Sequence, residues 1–214
     1  MKQTVNALRR VRPILLFALL VVVTVRGWAQ FEPATVPLPA TPQDVTVSLD
    51  PARSKINWTL GSTLHTVHGT FALKRGTLKF DPASGSASGE FVADAASGQS
   101  GNDSRDKKMH GEILESGRYT EVTFRPDRVE GKVLAQGACS VQLHGMFLLH
   151  GSEHELTVPV QAELNGTHWK GAAKFSVPYI QWGLKSPNTF LLKADPAVQI
   201  ELELSGTVQG VVTP

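Results

Sequence analysis

The chain has 214 residues, 41% of them apolar and 19% charged, with a formal net charge of +2. That length suits one domain, or at most two small ones. Five of the 21 basic residues (Lys2, Arg9, Arg10, Arg12 and Arg26) and none of the 19 acidic ones fall in the first 29 positions. Residues 30–214 therefore carry 16 basic against 19 acidic groups, a formal −3, and a nucleic-acid partner that needs a basic face loses its main support.

Residues 1–29 read as a secretory signal: a basic start, an unbroken apolar run Ile14–Val23, and small residues in Gly27-Trp28-Ala29 that place cleavage after Ala29. The run is short for a membrane span, which needs about 20 residues, so the mature chain is expected to hold no stable span. Residues 30–43 carry Pro33, Pro37, Pro39 and Pro42 and read as an extended linker. A domain is expected from 44 to 208, followed by a tail over 209–214. Cys139 is the only cysteine, so no intrachain disulfide can form and the fold must rest on its own core. A buried, inert thiol is the simplest reading of Cys139, which sits beside apolar strand residues.

From Ser54 onward, apolar and polar residues alternate. Ile56, Trp58 and Leu60 share one face of the first run. Gly69–Lys74 and Thr77–Phe80 flank Arg75-Gly76, which reads as a tight hairpin. Gly89–Ala95 follows. The segment Asn102–Ser116 breaks the pattern: Asp103 or Ser104 can cap a helix, and Met109, Ile113 and Leu114 fall at helical spacing. One or two short helical turns against an end of the sheet are expected there. Thr120–Phe124 and Asp127–Leu134 come next. Ser140–Leu149 is apolar on both faces, with Val141, Leu143, Phe147 and Leu149 opposed to Met146 and Leu148, so its outer face needs cover from a segment such as 102–116. Leu156–Leu164, Trp169–Val177 and Val198–Leu204 alternate cleanly. Each run has one dry and one wet face, the mark of an antiparallel sheet. About nine or ten strands follow, in a sandwich or a barrel, which periodicity alone leaves open.

No catalytic motif emerges. Gly85-Ser86-Ala87-Ser88-Gly89 has Ala87 where a nucleophile elbow needs serine, and His154-Glu155 is followed by Val158 where a zinc protease needs its second histidine. His144 and His150 share a face but lie about 20 Å apart on a regular strand. His150 and His154 flank Gly151-Ser152-Glu153, which reads as a turn, and can approach each other, but histidines that cap loops are the simpler reading. His65 and His68 resemble a loop pair. Catalytic and metal residues are accordingly expected to be none, and cofactors none. Asn57, Asn102 and Asn165 head glycosylation sequons, which act only in a glycosylating host. The aromatics are more informative: most fill a core, but some can line a cavity for an apolar ligand.

Several segments together resemble one family. Val67-His68-Gly69-Thr70-Phe71 with Gly76–Asp81 is similar to an opening hairpin of the YceI-like domain. Arg105-Asp106 within Asn102–Ser116 is similar to its Arg-Asp pair before a short helix. Tyr119–Phe124, Gly145–Gly151 and Leu156–Val160 match later strands in order. The family consists of bacterial exported proteins described as polyisoprenoid-binding. The resemblance spans about Val45 to Gly206 and implies an all-β fold: a single antiparallel lipocalin-like β-barrel with one or two short helices, an apolar lumen and no catalysis. It departs at Lys108 and Met109, which stand where a histidine and a leucine are expected, the histidine coming at His110. Val177–Pro187 matches only a subgroup.

The resemblance implies an exported, periplasmic or secreted carrier for an apolar small molecule or lipid, such as an isoprenoid. Trp58, Phe71, Phe80, Phe91, Met109, Phe124, Phe147 and Phe175 are the expected lining, with Arg105, Tyr179 and Trp182 near a mouth. A homodimer remains open. The rivals are a fully packed β domain acting as a structural or interaction module, and an enzyme on a small apolar substrate.

Overall fold

The computed structural model describes residues 44–134 and 136–210. The expected signal peptide, the linker and the last four residues of the tail lie outside the described residues. The strands are β1 (Val45–Leu49), β2 (Lys55–Leu60), β3 (Val67–Phe80), β4 (Ala87–Gln99), β5 (Glu121–Glu130), β6 (Gly137–Leu149), β7 (Ser152–Asn165), β8 (His168–Val177) and β9 (Val198–Gln209). Every pairing is antiparallel. The order β3-β2-β9-β8-β7-β6-β5-β4 closes on itself through β3–β4. The nine strands thus make eight staves. Strands β1 and β2 both fill the gap between β3 and β9, one below the other. They are one stave broken by a single 3₁₀ turn at Pro51–Arg53, where the Asp50 side chain accepts a hydrogen bond from the Ala52 N–H. Closure, which periodicity left open, is what removes unpaired edges.

The alternating faces have a direct cause. The inner face carries Val47, Ile56, Leu78, Phe124, Leu143, Val158, Val160, Ala173 and Val208, all buried in one cluster. The outer face carries cross-strand ion pairs such as Lys55–Glu203 at 3.4 Å and Arg125–Glu153 at 3.1 Å. Arg75 bridges Glu90 and Glu121 at 2.7 and 3.1 Å, and with Lys74 it holds the Glu121 carboxyl below its usual range. Such exposed pairs are individually weak; a one-residue slip would still bury them, so they help fix register.

Three expectations are corrected. Arg75-Gly76 is not a hairpin. β3 runs through it, and the register shifts between Leu73 and Arg75. Lys74 and Arg75 are both exposed while Leu73 and Gly76 are both buried. This is a β-bulge, which reverses the phase of the alternation without turning the chain. Likewise, Thr120–Phe124 and Asp127–Leu134 are not two strands: β5 continues through Pro126, with a register shift between Pro126 and Arg128. Finally, the segment expected to cover the outer face of β6 packs at the mouth of the lumen instead. Met146 and Leu148 stay half-buried, opposite Arg125 and Glu155, and Thr123 and Glu153.

That segment begins with helix α1 (Asp103–Lys108), capped by the Asn102 side chain, which accepts from the Arg105 N–H. The cap is thus one residue earlier than Asp103. A wider π-type turn continues over Met109–Ile113. His110 pins it: the Gly98 carbonyl 2.9 Å from Nε2 can only accept, so Nε2 carries the proton and Nδ1 accepts from Ser116 Oγ at 3.0 Å. The displaced histidine therefore does structural work here.

Candidate ligand-binding site

The barrel has two distinct ends. The upper end gathers the loop 61–66, α1 with its π-type turn, and the long connection 178–197. The lower end gathers the connections 81–86, 131–134 and 166–167, with Asp44 and Gly210. Strands such as β6, of 13 residues, rise about 3.3 Å per residue and tilt about 40° in a barrel, giving a lumen roughly 30 Å long.

Two cavities occupy that lumen. The upper one holds about 420 Å³ and the lower one about 370 Å³. Both are walled almost wholly by apolar side chains, and each falls in the size range of small-molecule sites. Phe91, Leu143, Val160 and Leu204 line both, so the chambers meet at a shared waist. The core of this protein is in effect the wall of a tube.

Most of the aromatics singled out from the sequence come together in the upper chamber: Trp58, Phe71, Phe91, Phe124, Phe147 and Phe175, with Met109 from the π-type turn. Phe147 is edge-on to Phe175, with centroids 6.5 Å apart. Phe80 lines the lower chamber, together with Cys139 and Trp169. Cys139 is half-buried rather than fully buried, because it faces this cavity. Trp182 lines neither chamber. It stacks on His154, with centroids 4.2 Å apart and planes 3° from parallel, and lies 5.6 Å from Phe147. The sequence argument missed the aliphatic wall: Leu143 and Ala173, which share strand parity with Phe147 and Phe175, and Val158 and Val160, on a strand that carries no aromatic.

The upper rim is where polarity enters. Arg105 and Lys108 line the chamber and form no ion pair with any described residue. Arg105 donates to the Ser100 carbonyl at 3.3 Å and Lys108 to the Pro187 carbonyl at 3.1 Å. Leu149, Val177, Tyr179 and Leu184 make a second apolar cluster under this rim, joined by Ile113 and Leu114. Among the described residues, no three His, Cys, Asp or Glu side chains converge on a metal position. His150 sits against Tyr119 at 4.2 Å and near Glu115 at 3.5 Å, and His144 bonds Asp127 at 2.7 Å. His150 and His154 are thus drawn to different partners.

An apolar tube closed by eight staves, with a helical segment carrying an Arg-Asp pair at its mouth, agrees with a sequence match to the YceI-like domain over residues 48–206. The chain belongs to the YceI-like family. Solved structures agree on the fold of this YceI-like domain. The structure of BcnA from Burkholderia cenocepacia superposes with a TM-score of 0.61 at 20% identity, covering 73% of this chain and 98% of that one. A polyisoprenoid binding domain from Saccharophagus degradans, implicated in plant cell wall breakdown, gives 0.56 at 15% identity over 76% and 98%. No curated protein sequence matches this one.

Tyr179 fastens the mouth of this YceI-like barrel. It is buried, and its hydroxyl donates to the Asp195 carbonyl at 2.9 Å, tying the two halves of the 178–197 connection. Burial pushes its pKa above the ordinary 10.0. The fold therefore favours the neutral form: the stabilisation is complete below pH 10 and is lost as pH rises through the higher folded value. Hydrogen exchange of the 178–197 amides should accelerate above that pH, and Tyr179→Phe should remove the pH step while raising exchange at neutral pH. An unchanged step in Tyr179→Phe would assign it to another group.

Proposed function

We propose that this protein is an exported, non-enzymatic carrier that holds a long-chain apolar molecule, an isoprenoid or related lipid, in the barrel lumen. The observation that carries this reading is the pair of apolar chambers joined at a waist. A packed interaction domain would fill that space with side chains, since protein interiors normally leave few voids larger than water. Burial of a tail contributes about 25 cal/mol per Å², so a ligand spanning both chambers needs few polar contacts. Arg105 and Lys108, with Tyr179 and Trp182 behind the rim, stand where a polar head would rest while the tail lies among Trp58, Phe71, Phe91, Phe124, Phe147 and Phe175. The signal-like residues 1–29 support export to the periplasm or out of the cell. The polyisoprenoid-binding structural neighbour lends support to the ligand class.

The test is mass spectrometry of an organic extract of the purified protein against a blank purification. A stoichiometric long-chain species is expected. Phe147→Arg places a charge in the upper chamber and should abolish its retention while preserving the β circular-dichroism signal. If the extract is empty and no isoprenoid, quinone or fatty acid raises the melting temperature, the carrier reading fails and the packed domain takes its place.

A further inference from the structure

The described residues with the most exposed large apolar side chains are Phe190 (95%), Leu191 (75%) and Leu64 (65%). They are distant in sequence but neighbours in the fold. Phe190 and Leu191 form the tip of a turn in which the Thr189 N–H donates to the Leu192 carbonyl and the Leu192 N–H to Thr189 Oγ1. Leu64 sits on the adjoining loop 61–66. The two loops are stitched together by a bridge between Ser62 and Ala194, by Thr63 N–H to the Lys193 carbonyl at 2.9 Å, by Lys193 N–H to Thr63 Oγ1 at 3.2 Å, and by Asp195 N–H to the Gly61 carbonyl at 2.9 Å. Ile180, on the same connection, is 36% exposed.

We infer that this double-loop tip inserts into the surface of an anionic lipid bilayer and sets the barrel mouth against it. Three features of the tip favour a bilayer over water or another protein. The first is continuity. Ser62, His65, Pro187, Thr189, Leu192 and Ala194 of these same loops line the upper chamber, so the apolar tip runs directly into the apolar lumen. The second is backbone chemistry. Unpaired N–H and C=O groups make irregular loops costly in lipid, but the stitching hydrogen bonds already satisfy much of this tip. The third is charge. In segments 61–66 and 178–197 the formal charges are Lys185, Lys193 and Asp195. Lys193 pairs with no described acid, and Lys185 reaches Glu115 only at 3.9 Å. The tip is thus basic on a chain whose residues 30–214 are net acidic. Apolar side chains that reach about 5–10 Å into the headgroup boundary, flanked here by Lys193, fit an interfacial anchor.

Docking goes beyond the carrier reading; only its use, loading or unloading lipid directly across the mouth, rests on that reading. The experiment places an environment-sensitive fluorophore on Leu191→Cys in the full chain with Cys139→Ser, and on Thr167→Cys at the opposite end as a comparison. Phosphatidylcholine vesicles containing phosphatidylglycerol should blue-shift and brighten the label at 191 and leave the label at 167 unchanged. The double variant Phe190→Asp/Leu191→Asp, which alters exposed side chains only, should weaken vesicle binding about tenfold or more. A shift at 167 alone, equal shifts at both positions, or none at either would overturn the docking inference. The label reports contact with the vesicle and not lipid in the lumen, so a failed carrier reading leaves this result standing.

Discussion

With Val160 replaced by tryptophan, affinity for prenyl alcohols should stop rising once the tail fills the upper chamber. Val160 lines both chambers and lies between Val141 and Ala173 in the ladder. An indole at that position fills the waist. In the unaltered protein each additional buried methylene contributes about 0.8 kcal/mol, so affinity should climb with tail length through the waist and beyond. Excluding about five methylenes from the lower chamber costs about 4 kcal/mol, close to a thousandfold in Kd. Titration of a graded prenyl series shows the effect as a plateau. Short members should bind the variant as before, which also verifies that it folds. A variant whose affinity keeps climbing would show that the tail does not pass the waist.

Gly145→Val should cost about 3 kcal/mol, roughly 10 °C in melting temperature for a domain of this size. Gly145 pairs with Pro126 beside the β5 bulge. Pro126 has no N–H to give the ladder, and prolines inside sheets sit at such irregularities. The strands approach so closely here that a Cβ on Gly145 would strike the Arg125 carbonyl oxygen and lie 2.7 Å from Pro126 Cα. Those are backbone atoms, so the clash can be relieved only by opening the β5–β6 seam. Gly117, with nothing within 4 Å of its Cβ position, supplies the comparison: Gly117→Ala should leave stability within about 0.5 kcal/mol. Equal denaturation midpoints for the two variants would refute the close approach.

These two sites also show why the fold was only partly legible in the sequence. Runs such as Ile56-Trp58-Leu60 declare their inner face because alternation is a local property of a strand. A bulge is not local. At Lys74–Arg75 the phase of alternation reverses, which in a sequence looks the same as a turn. At Pro126 the missing N–H suggests a break that the bulge opposite Gly145 absorbs. The lining aromatics were legible because bulky residues of one parity must point inward. The waist was not, since it depends on which residues meet across the tube. The exposed Phe190-Leu191 pair went unremarked because a short apolar run in a loop carries no periodicity.

The broken first stave leaves the two ends of the domain side by side. Asp44 and Gly210 lie next to each other at the lower end, while the three segments that frame the mouth stand at the other. A protein fused to either end, or a solid support gripping one, would hang from the floor of the tube and leave its opening free. A short peptide joining Asp44 to Gly210 would make the chain a seamless ring, which could then be cut open at any of the remaining connections without removing a stave.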